Sequence, residues 1–297
     1  QDTSSAASDV YKRQTLTNGN TINAGLVSGG NTGLEEITEG SNTGYRIAGR
    51  DAANYGDIGN NAVDLSISDG TSTTRGATGN NSTSMGLITT ASGTYSTAMG
   101  YFTEASGDYS TAMGDNTTAS GSTSTAMGYN TEASGIVSTA IGQTTTASGF
   151  GSTALGYETT ASGNRSTAMG YYATASGSSS TTIGRYTTAP SFAEMAIGQY
   201  NTNYTPNGAT SWNTGDRLFV IGNGSSSSAK SDAMIVYKSG LAEFKNDMSI
   251  TGNLGLSDSE IRLRGLGDGN HYLKYQSDVG FDLSLIHISE PTRPQCI

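Results

Sequence analysis

The chain has 297 residues, and its 41 glycines are about twice the ordinary share. Glycine and β-branched threonine in such excess weaken helices, which excludes a helical protein. No run of about 18 apolar residues crosses a membrane as a helix, and a net charge of −10 without a Lys/Arg stripe argues against nucleic-acid partners.

The first stretch, Thr3–Gln14 (TSSAASDVYKRQ), resembles translated sequencing-adapter sequence, as does Ser284–Cys296 (SLIHISEPTRPQC) at the other end. Residues 1–14 and 284–297 are therefore set aside from the fold, and the chain is expected to be an internal piece of a longer protein. Cys296 is the only cysteine. Residues 15–283 then hold no disulfide frame, thiolate nucleophile or Cys-based zinc site. Residues 15–72 read as a β-rich N-terminal flank.

From Thr73 to Gly198 a 14-residue unit recurs nine times without a gap, as in Tyr129–Gly142 (YNTEASGIVSTAIG). An apolar residue falls at Met85, Met99, Met113, Met127, Ile141, Leu155, Met169, Ile183 and Ile197, each followed by glycine. A second glycine stands seven residues before the first, from Gly79 to Gly177. The ninth unit has Ser191 there, beside Pro190, as expected of a terminal cap.

Two glycines per unit leave two halves, each with room for a strand of about four or five residues and a tight turn. The predicted object is an all-β parallel roll of nine 14-residue coils, a rod segment of roughly 43 Å at about 4.8 Å per coil. Alternation puts Met99 with Thr97 on one side and Ala98 with Ser96 on the other. The Met, Ile and Leu ladder is expected to fill the coil core, and the Ala/Ser face to meet sister chains. In the second half Ala91 and its equivalents point inward, while Thr90, Glu104 and Glu132 face water. So small a core per coil predicts a homo-oligomer.

The unit xxSTAMGxxTxASG resembles the head repeat of trimeric autotransporter adhesins, the YadA-like head, whose pattern is xxSxAxGxxSxAxG. That resemblance implies a left-handed β-roll, a homotrimer and attachment of bacteria to surfaces. It also implies a place on the bacterial cell surface, anchored in the outer membrane through segments outside this chain. The flanks Gly44–Ser66 and Arg217–Gly252 resemble segments bordering such heads. The matrix-binding version of the family carries N-S-V-A-I-G. Here the Asn position holds Tyr95, Tyr109, Thr123, Val137, Gly151 and Arg165, with Asn81 alone matching. Collagen binding is therefore not implied.

Residues 199–283 read as a β-rich connector. Leu218–Ile221 is a short strand, Ser225–Ser228 a serine loop, and Ala233–Tyr237 with Leu241–Phe244 a hairpin. Met248–Leu256 alternates like a further strand.

Candidate contact residues are the aromatics that open many units, Tyr101, Phe102, Tyr129, Tyr157, Tyr171, Tyr172 and Tyr186. They form an outward stripe suited to an extracellular protein or glycan, or else a cover for the coil edge. The Thr90, Thr118, Thr146, Thr160, Thr174 and Thr188 ladder is interrupted by Glu104 and Glu132, which spoils an ice-binding face. Asp268 and His271 in GLGDGNHY read as a turn. Glu104, Asp108 and Asp115 lack a partner base. No metal, cofactor or enzymatic activity is expected. The function expected is a non-enzymatic adhesin head, with a bacteriophage tail-fibre segment as the second reading; an ice-binding solenoid and a glycan-active enzyme rank below both.

Overall fold

The computed structural model describes residues 33–245. The adapter-like ends, the strand expected at Met248–Leu256, and Asp268 with His271 lie outside the described residues.

Each 14-residue unit makes one coil. Its first half is a five-residue strand, from Thr83–Leu87 through Thr97–Tyr101 and on to Met195–Gln199. Its second half is shorter than expected, a two-residue strand such as Thr90–Ala91 or Thr188–Ala189. The long strands stack parallel and in register, Met99 on Met85 and Met113 on Met99, with glycine on glycine beside them. The short strands stack likewise into a second sheet of nine. The structure is an all-β solenoid of about 11 turns, because Val63–Ile67 and Arg217–Asn223 extend the long sheet at either end of the repeats. Backbone bonding runs on through the turns, as where Asn116 N donates to Tyr101 O (2.8 Å) and Tyr109 N to Thr94 O (2.8 Å).

Both glycine columns are dictated by this stacking. At Gly128, φ is +128°, and a β-carbon would stand 1.9 Å from the carbonyl oxygen of Gly142 in the next coil. At Gly107, in the other column, it would stand 2.1 Å from Gly121 O. Ser191 escapes this constraint because it ends its column, its own carbonyl being the atom Gly177 meets at 2.0 Å.

The interior corrects the expected core. Met85, Met99, Met113, Met127, Ile141, Leu155, Met169, Ile183 and Ile197 lie on the outer face of the long sheet, half-buried or exposed. What points inward is Ala98 with Ser96 and, from the short strand, Ala105 with Thr103, all at most 1% exposed. The gap between sheets explains the inversion. Where Ser84 takes the alanine position, its Oγ meets Thr89 Oγ1 across the interior at 2.6 Å. Two such short side chains span the space, so a methionine has no room. The expectation for the short strands stands: Ala91, Ala105 and Ala119 are buried, Glu104 and Glu132 exposed.

An alanine opposite each threonine has a cost. Thr103, Thr117, Thr131, Thr145 and Thr159 hold Oγ1 atoms with no hydrogen-bond partner among the described residues. The Ser84–Thr89 and Thr182–Thr187 pairs show the remedy. Ala140→Ser is expected to pair Thr145 and raise stability by about 1 kcal/mol. Thermal unfolding followed by circular dichroism checks it; a lowered midpoint would contradict the assigned facing.

Charged ends close the rod. At the N-terminal end Leu34–Glu39 pairs antiparallel with Asn42–Ile47; Glu36 stands exposed on that strand, a charge that disfavours further strand addition, while Glu39 turns to the Arg46 guanidinium at 3.0 Å. Asp64 sits on the inward alanine register and binds Arg46, Nε to Oδ2 at 3.2 Å, both buried. At the other end Asp232–Tyr237 and Ala242–Phe244 add antiparallel strands, close to the hairpin expected there.

Candidate interaction surfaces

Ahead of the glycine, alternation along each long strand leaves two columns outward, one of threonine and one of Met, Ile or Leu. The Thr83–Thr181 column ends in Met195, and neither column carries a charge in any of the nine coils. The strip is about 38 Å long at about 4.8 Å per coil. Met85, Ile141, Met169, Ile183 and Met195 are 37–41% exposed in the single chain. A continuous Met, Ile and Leu column of this length, flanked by uncharged threonine, is unusual on a solitary soluble chain.

The last residue of the long strand and the turn that follows it carry the aromatic residues. Tyr172, Tyr186 and Tyr200 stack with centroids 4.6 and 4.7 Å apart and planes within 9° of parallel. Tyr157 stacks on Tyr171 at 5.0 Å beside them, and the Arg185 guanidinium lies 5.1–5.7 Å from the Tyr171, Tyr186 and Tyr200 rings. Tyr101 and Phe102 form a separate edge-to-face pair at 4.8 Å. Tyr129 is exposed and joins no aromatic pair among the described residues. The stripe is thus one cluster of five tyrosines, one pair and one single ring. Hydrogen bonding to Glu158 pushes the Tyr157 and Tyr172 hydroxyls above the ordinary tyrosine range, and burial does the same for Tyr186. They remain proton donors at neutral pH.

The cluster sits on a turn whose backbone is left-handed in every coil, from Ile88 through Asn116 and Thr144 to Tyr200. Tyr172, Tyr186 and Tyr200 have φ of +54°, +52° and +44°, costing roughly 1–2 kcal/mol each. Ring stacking returns about 0.5–1.5 kcal/mol per pair. Stacked rings also cover one another's faces, so the strip offers ring edges and hydroxyls outward.

The opposite turn holds residues that were not among the candidate contacts. Tyr95 and Tyr109 stack at 5.1 Å, and farther along Ile136, Val137 and Phe150 are 51–53% exposed on adjacent coils. Their signal was available in the repeat itself, since these two positions vary from unit to unit while their neighbours do not.

The remaining candidates do not assemble. Thr90, Thr118, Thr146, Thr160, Thr174 and Thr188 form the outward short-strand column, broken by Glu104 and Glu132. Asp108 accepts Thr94 N at 2.8 Å, fixing a turn. Among the described residues no three His, Cys, Asp or Glu side chains gather to hold a metal, and no helix is long and apolar enough to cross a membrane. An open hollow of about 390 Å³ near the C-terminal end is lined by Thr202, Arg217, Lys230, Asp232, Tyr237 and Lys245. Its cations are already engaged: Arg217 with Asp232 at 3.3 Å, Lys230 with Asn203 at 2.9 Å, and Lys245 with Glu243.

Comparison with known families matches the coils. The family described as YadA head domain repeat (2 copies) matches residues 77–103, 105–131, 133–159, 147–173 and 161–187. No curated protein matches the chain.

Proposed function

With YadA head domain repeats over residues 77–187, we propose that the chain is the head module of a trimeric, surface-exposed adhesin. It works without catalysis, presenting a stiff repetitive rod to a target. The observation that carries this is the uncharged Thr/Met strip. Self-association covers the strip, in keeping with the trimers that YadA heads form. Covering what the Met, Ile and Leu side chains still expose contributes about 1 kcal/mol per coil, repeated along the rod. Assembly then brings three copies of each turn edge to the outside of one rod, where weak contacts add through avidity. Ring edges and hydroxyls of the tyrosine cluster and the apolar Ile136–Phe150 edge are the contact groups, toward an extracellular protein or glycan surface. An outer-membrane anchor would be supplied by other segments of the parent protein.

The full chain, assembled, is expected to be retained on at least one of immobilised matrix protein, glycan or polystyrene. A dissociated variant should lose that retention by about 100-fold or more, the avidity term. Equal retention of both forms, or none by the assembled form, contradicts the reading.

A further inference from the structure

The ninth coil departs from the repeat at the position that closes the rod. Glu194 occupies the inward serine position of Ser96, Ser110 and Ser180. It is 1% exposed. Its Oε2 accepts Tyr204 Oη at 3.0 Å and Ser191 N at 2.9 Å, while Oε1 has no partner among the described residues. Both of those donors belong to the joint between the coils and the strands beyond. Tyr204 Oη also accepts Arg217 N (3.3 Å). Ser191 Oγ donates to Arg217 O (3.0 Å) and accepts Lys238 Nζ (2.8 Å). The loop between is tied down by Asp216, which accepts Asn207 N and Gly208 N at 2.8 Å each.

We propose that Glu194 makes this joint a pH-sensitive lock, tightened when its carboxyl takes up a proton. The inference goes beyond the adhesive reading and does not depend on it. A buried carboxylate with one unsatisfied oxygen is costly, whereas the protonated carboxyl is neutral and loses far less on burial. The groups facing it are the Tyr204 hydroxyl, the Arg217 guanidinium with its partner Asp232, the Lys238 ammonium and Asp216. Burial outweighs them and raises the Glu194 pKa, despite hydrogen bonds from Ser191 and Tyr204 and the Arg217 charge. A carboxyl whose folded pKa is raised binds its proton more tightly in the closed joint than in the open one. The joint is therefore tightest in acid and loosens as pH rises from the ordinary carboxylate range through the raised value. Burial lowers the Lys238 pKa, and the Glu194→Gln variant separates that group's contribution from that of Glu194.

Hydrogen-exchange protection of residues 200–237, corrected for intrinsic rate, tests the lock on the full chain. Protection should be at least threefold higher at pH 5 than at pH 8. In Glu194→Gln, which keeps a neutral group of the same shape, it should be high and flat across that range. In Glu194→Ser, which restores the repeat but removes the acceptor for Tyr204, it should be low and flat. A flat native profile, an unchanged slope in Glu194→Gln, or loss of protection in Glu194→Gln at both pH values would overturn the proposal.

Discussion

Replacing Gly128 with alanine is expected to break the rod locally, at a cost of roughly 2–6 kcal/mol. Two effects combine. The backbone sits at φ +128°, a region nearly reserved for glycine, costing about 1–3 kcal/mol. The new methyl would also stand 1.9 Å from Gly142 O, and relieving such overpacking costs about 1–3 kcal/mol more. Because each coil contacts only its neighbours, the damage should stay near Thr125–Gln143. Hydrogen exchange resolved by coil should show protection lost there and kept around Ala62 and Val220. Gly151→Ala is the matched control. Its φ is +61°, but the nearest atom a β-carbon meets is Arg165 Cγ at 3.7 Å, so a loss of about 1–2 kcal/mol is expected. Equal losses at the two sites would mean that the glycines are not held by coil-to-coil contact.

The second large effect concerns assembly. Met127→Glu places a carboxylate mid-strip, on the outer face of Thr125–Tyr129. In a single chain the side chain is partly solvated, so the coil should fold as before, with an unchanged circular dichroism spectrum. In the assembly the charge would be buried without a partner, at a cost of several kcal/mol. Self-association should weaken by at least 100-fold, seen by light scattering on a sizing column. A variant that still assembles as tightly would place the interface elsewhere.

The rod was legible in the sequence because stacking imposes itself on every unit. Two glycine columns, a 14-residue period and an alternating S-x-A-x-G run leave one parallel in-register ladder. Which side of the long strand faces inward was not legible in that way. Alternation separates Met99 from Ala98 but is silent on the width of the gap, and the habit of placing larger apolar residues inside gives the wrong answer. The tight turns between the halves of each coil hold the two sheets so close that alanine, serine and threonine fill the space. The corrected assignment strengthens the case for partners, since the side left outside is the more apolar one. Ile136 and Phe150 were not among the candidates, and Val137 entered only as a departure from the Asn position, because these turn positions vary from unit to unit. The Glu194 cluster depends on Tyr204, Arg217 and Lys238, which meet only after the chain folds back over the last coil. Gly222 continues the glycine column beyond the repeats, its register partner being Gly198; the 24-residue step between them hides it from a 14-residue period.

The central claim is that the Thr/Met strip is a surface between sister chains. Sedimentation equilibrium of the unaltered chain, from sub-micromolar to tens of micromolar, addresses it most directly. A species of three times the single-chain mass that persists on dilution is the result expected. A folded monomer across that whole range, its coils intact by circular dichroism, would contradict it.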